Sequence, residues 1–514
     1  MLTDPILLGA TATSVRVVWF TEWPGRRHDV ELAGGRRLAA RTTLLSRTAE
    51  DQRSRVAGRT WPRLTRRPVW RHEAVVDGLR TGERVGYRVA STGEDGRTTA
   101  SAWFRLAAAG TGDLLLLTSD HQLRPLTAAN LHAAYGVAGD RLGGVLCAGD
   151  LVNTPDRASE WFDDAGAWDG AGGCAFFPAM QGRASVTVAG HRWRGAPILQ
   201  QVPLYPALGN HEVTGDVGES LHERFERVQP GTADTTTYQE IVGRPQWYAT
   251  TIGPVRLIVL FAARVWRPMS WDGSVRGTFA EATADLANPS RWGHGQHLFA
   301  SLARGSEQYD WLARELADPA SRAARYRVVM MHHPVHSVGW TGVPPFADPV
   351  AEGERDLAGA VTAVRYEYPL AADQLLRDVE PLLAAHRVPL VLTGHSHLWN
   401  RFRNDAGTHF LETSNVGNTF GAFLPGVARR PVPGPEDGFK QPYAATGDAG
   451  GLEPVVPSAA PWHGPDGAPL PYHASDTVTA FSLLDTTAGV VRSYRFDPAD
   501  PAAGAELFDE LVLM

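Results

Sequence analysis

Five short segments of this chain end in residues of the kind that bind metal ions: Asp120, Asp150, Asn210 with His211, His332 with His333, and His395 with His397. Imidazole nitrogens and carboxylate oxygens suit zinc, manganese, iron and nickel, and neither cysteine is placed to help. A carboxylate can bridge two cations about 3.5 to 4 Å apart, an arrangement that clamps the attacking and leaving oxygens of phosphoryl hydrolysis. Asp150, released from its strand by Gly149, is the candidate bridge. Asn210 would add a neutral amide oxygen and so preserve net positive charge for an anionic substrate. His395 and His397 lie two apart, so in an extended segment both would point the same way, with Gly394 permitting a sharp turn. Each segment alone has a duller reading as a turn, a strand stop or a surface loop. Five of them at strand ends within one region point to a site.

Periodicity supplies the elements that must hold these residues. Residues 145–147 are a short apolar run, which places Asp150 at the carboxyl end of a buried strand, the edge at which open α/β sheets bind ligands. Residues 114–118, 204–208, 255–262, 326–331 and 389–393 read as further strands, and residues 127–137, 158–168 and 371–386 as helices. Ser306 caps an amphipathic helix that runs through Leu316. This alternation predicts an α/β sandwich. Residues 1–108 differ: short strands at 14–20, 73–76, 84–89 and 102–106, separated by Gly-bearing turns, predict an all-β sandwich. Within it residues 47–71 read as a long arginine-rich loop. Residues 421–473 are rich in Pro and Gly and have little periodicity, so they read as a loop that shapes the pocket. Residues 477–484 and 489–496 read as a closing hairpin.

Length and composition bound the rest. A chain of 514 residues exceeds one ordinary core, and the change of pattern divides it into domains at 1–108 and 109–514. No apolar run approaches the roughly 18 residues that span a bilayer, and the start lacks a secretory pattern, so a cytoplasmic protein without a membrane partner is expected. The two cysteines cannot form a disulfide framework. A net charge of −7 excludes a general nucleic-acid binder, although residues 1–108 carry 19 arginines against 11 acids. That excess reads as a solvated arginine-rich surface.

Asp120, Gly149-Asp150, Gly209-Asn210-His211-Glu212, His332 and Gly394-His395-Ser396-His397 resemble, in order, the motif series of the calcineurin-like metallophosphoesterases. Residues 78–89, with Tyr87, resemble part of a fibronectin type III domain, and that layout is similar to the purple acid phosphatases. The resemblance implies a two-sheet α/β sandwich metallophosphoesterase domain preceded by an all-β fibronectin type III-like sandwich. It implies two divalent or mixed-valence transition metals (Fe, Mn, Zn or Ni), one on Asp120, Asp150 and His397, the other on Asp150, Asn210, His332 and His395. His211 would face the substrate as the catalytic proton donor. Two residues depart from the pattern. Gln122 stands where most of the family has a ligating His; in an extended strand Asp120 and Gln122 share a face while His121 points away, so Gln122 takes the ligand place. Asn153 stands where the purple enzymes carry a tyrosine that ligates ferric iron, so purple colour is not expected. Of His332 and His333, the spacing to Pro334 selects His332. His336 could contact phosphate, and His294 and His297 read as structural. The expected activity is hydrolysis of a small-molecule phosphate ester by a metal-activated hydroxide, on monoesters first. The alternatives are a phosphodiesterase acting on cyclic nucleotides or phospholipid head groups, and a binding protein with a vestigial metal site.

Overall fold

The computed structural model describes residues 1–163, 173–213, 232–266, 278–292, 295–339, 344–424, 432–443 and 447–514. Within it two sheets face each other across an aliphatic core. In the first, strands Leu114–Thr118, Leu142–Cys147 and Leu204–Pro206 run parallel. Every residue of these strands is buried, which is why they read as continuous apolar runs and not as alternating ones. The second sheet has parallel strands Val255–Val259, Tyr326–Met330, Leu390–Thr393 and His409–Thr413 at its centre. Leu115, Leu117 and Leu146 of the first sheet meet Leu257, Val328 and Leu390 of the second.

Helices cover the outer faces. Thr127–Ala138 and Phe176–Met180 pack on the first sheet, and Glu307–Ala317 and Glu380–Ala385 on the second. The result is a two-sheet α/β sandwich. Its loops after Thr118, Cys147, Pro206, Met330 and Thr393 leave the carboxyl ends of parallel strands and carry the polar segments.

The first 107 residues are all-β. A five-stranded sheet built around Arg27–Leu32 and Arg84–Thr92 packs on strands Ile6–Leu8, Ser14–Thr21, Trp70–Asp77 and Arg41–Leu44, with Val15, Val17, Trp19, Val30, Tyr87 and Val89 between them. The sheet to which those four strands belong does not stop at that sandwich. Ile6–Leu8 pairs in parallel with Leu204–Pro206, Leu8 opposite Leu204, so ten strands form one continuous sheet from Glu506–Val512 to Arg41–Leu44. Periodicity cannot flag a three-residue strand, so the join is invisible in the sequence.

Several elements differ from the sequence reading. The helix expected over 371–386 is interrupted: residues Leu375–Val379 form a π-turn before Glu380–Ala385 becomes α-helical. Pro381 in the first turn has no N–H to return to the preceding turn, so the hydrogen-bond ladder is offset there. Only Ala158–Phe162 of the helix expected over 158–168 is described as helical, and residues 164–172 lie outside the described residues. The closing hairpin, Thr479–Asp485 with Val490–Phe496, gains a third strand, Glu506–Val512. The described part of 421–473 is not all loop: Trp462–His463 pairs with Pro469–Leu470, and Tyr472–His473 joins the second sheet beside Trp399–Arg403, while the Phe423 N–H ties the start to the Val338 carbonyl at 2.6 Å. Both cysteines are buried and unpaired. None of the described helices is long and apolar enough to cross a membrane.

Candidate metal centre

The polar segments are turns, not strand continuations. The φ angle is +56° at Asp120, +37° at Gln122, +53° at Asp150, +82° at His395 and +56° at His397. Residues with a Cβ rarely adopt this left-handed region, and holding one there costs on the order of 1 to 3 kcal/mol. The extended geometry expected for Asp120 to Gln122 and for His395 to His397 is therefore corrected. Gln122 still reaches the site and His121 still turns away, but the turn aims them, not strand alternation. His395 and His397 do not point the same way; each faces a different cluster.

The first cluster joins Asp120, Asp150 and His397, whose ligand atoms all lie within 4.8 Å of one another. His397 Nε2 is 3.2 Å from Asp120 Oδ1, and its Nδ1 is 2.8 Å from the Asn418 carbonyl. Gln122 Nε2 is 3.1 Å from Asp150 Oδ2, while its Oε1 is buried with no hydrogen-bond partner among the described residues. In the second cluster His332 Nδ1 donates to the Ala148 carbonyl at 2.8 Å, which leaves Nε2 to face the site. That nitrogen lies 3.2 Å from Asp150 Oδ2, 3.0 Å from Asn210 Oδ1 and 3.1 Å from His395 Nδ1. An imidazole whose N–H is committed on one side, with acceptors crowded round the other, calls for a cation there. Asp150 belongs to both clusters. Burial disfavours its charge, but His332 and His211 outweigh that and pull its carboxyl down, while His332 is pushed up by Asp150 against the same burial.

The glycines of the motifs allow this convergence. A Cβ on Gly209 would stand 2.1 Å from Asp150 Oδ1, and one on Gly394 would stand 2.5 Å from Asp120 Oδ2. No side chain fits at either position without moving a candidate ligand.

Residues 143–398 match the calcineurin-like phosphoesterase family. The chain carries a calcineurin-like phosphoesterase domain. It is accordingly a hydrolase of phosphoric esters. The matched segment begins after Asp120 and ends one residue beyond His397. No curated protein matches the sequence. Among solved structures, a purple acid phosphatase from yellow lupin (Lupinus luteus) seeds is 15% identical with a TM-score of 0.53, covering 99% of this chain and 73% of that one. A structure of PhoD is 12% identical with a TM-score of 0.40, covering 100% of this chain and 92% of that one. The lupin likeness shows the fold.

Behind the candidate ligands, the phosphoesterase domain places two buried carboxylates. Glu212 accepts the backbone N–H groups of Asp150 at 2.9 Å, Leu151 at 2.7 Å and Gly209 at 2.7 Å, and so ties the two loops together. Burial and the Asp150 charge push its carboxyl up to about 8, against the pull of those N–H groups. Glu412 accepts the Ser396 N–H at 2.7 Å, the Ser337 hydroxyl at 2.8 Å and the Asn400 amide at 2.9 Å, bracing the turn between the two histidines. Neither role was read from the sequence; a Glu three residues after a motif glycine was the one available signal.

The half-buried His211 has its backbone N–H 3.0 Å from Asp150 Oδ1 and its Nδ1 3.0 Å from the Asn153 carbonyl. The Asn153 side chain turns to the Gln122 carbonyl at 3.0 Å. His121 is bonded to the Thr118 hydroxyl at 2.9 Å, and burial brings it down to about 4. His333 stacks on His395 with ring centroids 3.7 Å apart and meets the Ala262 carbonyl at 3.1 Å through Nδ1, and one of its ring nitrogens lies within 4.8 Å of ligand atoms of His332 and His395, so it stands beside the second cluster. His336 is corrected: its Nδ1 is hydrogen-bonded to Asp448 Oδ2 at 2.8 Å and its Nε2 lies 3.2 Å from Glu380 Oε2, so the buried ring stands between two carboxylates, surroundings that suit a cation and not a phosphate. Burial works against its charge, but those two acids push it up to about 9. His297 is buried in strand Gln296–Leu298, and His294 lies outside the described residues. A residue missed from the sequence is Phe420, 43% exposed, whose ring stacks on His397 at 4.2 Å.

Proposed function

We propose that the chain is a dimetal phosphomonoesterase, with one cation held by Asp120, Asp150, His397 and Gln122, and the other by Asp150, Asn210, His332 and His395. The observation that supports this reading is the meeting of the two clusters on one carboxylate, Asp150, together with the buried, partnerless Gln122 Oε1 beside it. The donor set of carboxylates, imidazoles and amide oxygens fits hard to intermediate divalent ions such as Mn, Zn, Fe or Ni. Such ions supply charge neutralisation for a phosphoryl group and acidify a water molecule at neutral pH.

The protein's own residues do the rest. Ala148 and Asn418 carbonyls fix the tautomers of His332 and His397, so that Nε2 of each is available as a ligand. Asn153 does the same for His211, which directs Nε2 away from the backbone. With Nδ1–H held by Asn153, His211 in its imidazolium form donates the second ring proton, from Nε2, to the departing ester oxygen, and is left as the neutral imidazole. An alkoxide needs that help as the bond breaks, whereas a nitrophenolate leaves readily without it.

His211→Asn should therefore cost about 10² to 10⁴-fold in kcat on glycerol phosphate and much less on nitrophenyl phosphate, with metal content unchanged. Equal losses on the two substrates would show that His211 positions phosphate and does not act as the acid.

A further inference from the structure

The Asn153 carbonyl that orients His211 is itself held in an unusual way. Glu160 sits seven residues further on, 1% exposed, and its Oε2 accepts the backbone N–H of Asn153 at 2.8 Å and that of Thr154 at 2.7 Å. The other oxygen of Glu160 pairs with Arg157. Arg157 is also buried, and its remaining donors go to the N-terminal region: Nε to Asp51 Oδ1 at 3.1 Å and a terminal nitrogen to Asp51 Oδ2 at 2.9 Å. One residue before Asp51, Glu50 accepts the Ser159 hydroxyl at 2.7 Å and Arg67 at 2.8 Å. Two backbone contacts close the seam: the Ala49 N–H bonds the Asp156 carbonyl at 2.9 Å, and Ala49 bridges to Arg157.

We propose that Glu160, held by Arg157 and by Asp51 of the N-terminal region, is the positioning residue for His211, acting through the Asn153 backbone. The idea rests on the assignment of His211 made above. In this arrangement the arginine-rich excursion of residues 47–71 is not a passive surface. Its acids complete the support of the turn that carries the proton donor, and its Arg67 keeps Glu50 in place.

Two N–H groups converging on one carboxylate oxygen, whose partner oxygen is paired with Arg157, fix the peptide planes of Asn153 and Thr154, and hydrogen bonds in such a charged pair are shorter and stronger than neutral ones. The Asn153 carbonyl then points at His211 Nδ1, and the ring follows it. Misplacing a catalytic group by about 1 Å costs up to about 10²-fold in rate. Neither Glu160 nor Asp51 belongs to the groups of candidate ligand atoms, so their loss should leave the cations in place.

The test is a pair of variants, Glu160→Gln and Asp51→Asn, each alone and combined with His211→Asn in the full chain. Metal content, thermal midpoint, and kcat and KM on glycerol phosphate and nitrophenyl phosphate are measured for each. Glu160→Gln should lower kcat on glycerol phosphate about 10-fold or more, change KM little, spare nitrophenyl phosphate, and add almost nothing in the His211→Asn background. Asp51→Asn removes only the outer support, on a carboxylate that is part exposed, so it keeps the test open if Glu160→Gln does not fold. It should show the same substrate pattern at smaller size, about 2- to 5-fold. If His211→Asn discriminates between the substrates while both support variants lower them equally, or multiply with it, the proposal is overturned. If His211→Asn does not discriminate at all, the assignment of His211 is what has failed.

Discussion

The close approach of Gly209 to Asp150 gives the sharpest prediction. In Gly209→Ala the new Cβ would stand 2.1 Å from Asp150 Oδ1 and 2.6 Å from the Asp150 backbone nitrogen, where ordinary contact begins near 3.4 Å. Something must move by more than about 1 Å, and both neighbours belong to the residue assigned to both cations. Overpacking of a tight core typically costs about 1 to 3 kcal/mol. The catalytic penalty should be larger, because a shift of about 1 Å in a reacting constellation is worth up to about 10²-fold. Gly136→Ala is the control: it lies in helix Thr127–Ala138, is exposed, and its Cβ would meet nothing within 4 Å. That change should stabilise the protein by about 0.5 to 1 kcal/mol through helix propensity alone. Chemical denaturation, elemental analysis and kcat on nitrophenyl phosphate are measured for both variants. A Gly209→Ala protein that kept two metals per chain and at least half its kcat would refute the claim that this glycine exists to admit the Asp150 carboxylate.

Two other outcomes are expected. Gln122→His should bind the cation on the Asp120 side about 10-fold more tightly, because imidazole is a better donor than an amide; a chelator competition that left His121→Ala weaker and Gln122→His unchanged would reverse the two roles. His336 carries a pH signature. Its folded value is raised to about 9 from an ordinary 6.5, so the stabilisation by Asp448 and Glu380 is complete below about 6.5 and is lost as pH rises through about 9. His336→Gln should thus cost on the order of 2 to 3 kcal/mol at pH 6 and much less at pH 10, read from denaturation curves; a pH-independent difference would count against the buried imidazolium.

Much of the centre is legible in the sequence because its chemistry is local to short motifs. Asp150, Asn210, His332, His395 and His397 each sit just past an apolar strand, and strands of that length are recognisable from composition alone. The turns themselves are not legible. Nothing in Asp120-His121-Gln122 announces positive φ at two non-glycine positions, because only the surrounding sheets, Gly394 and the Asp120 carboxylate impose it. His336 misleads for a related reason: the two acids that claim it come from positions 44 and 112 residues away, beyond any spacing argument. Asp51 is illegible because an acid in a polar stretch gives no sign of an arginine partner 106 residues distant, and Glu160, three residues after Arg157 in a short helix, gives no sign that its other oxygen turns back to the Asn153 and Thr154 N–H groups.

The continuous ten-stranded sheet bears on how such a chain is made. Leu8 must wait for Leu204 before its strand has a neighbour on that side, a separation of about 200 residues. Residues 6–8, synthesised well before residues 204–206, thus find their neighbour on that side late. Until it docks, Leu204–Pro206 presents an unpaired edge, which is a template for intermolecular strand pairing. Cutting the gene at the apparent boundary would make that transient edge permanent, a few residues from Asn210. Yield and solubility of residues 109–514 alone should suffer for that reason, whatever becomes of the chemistry.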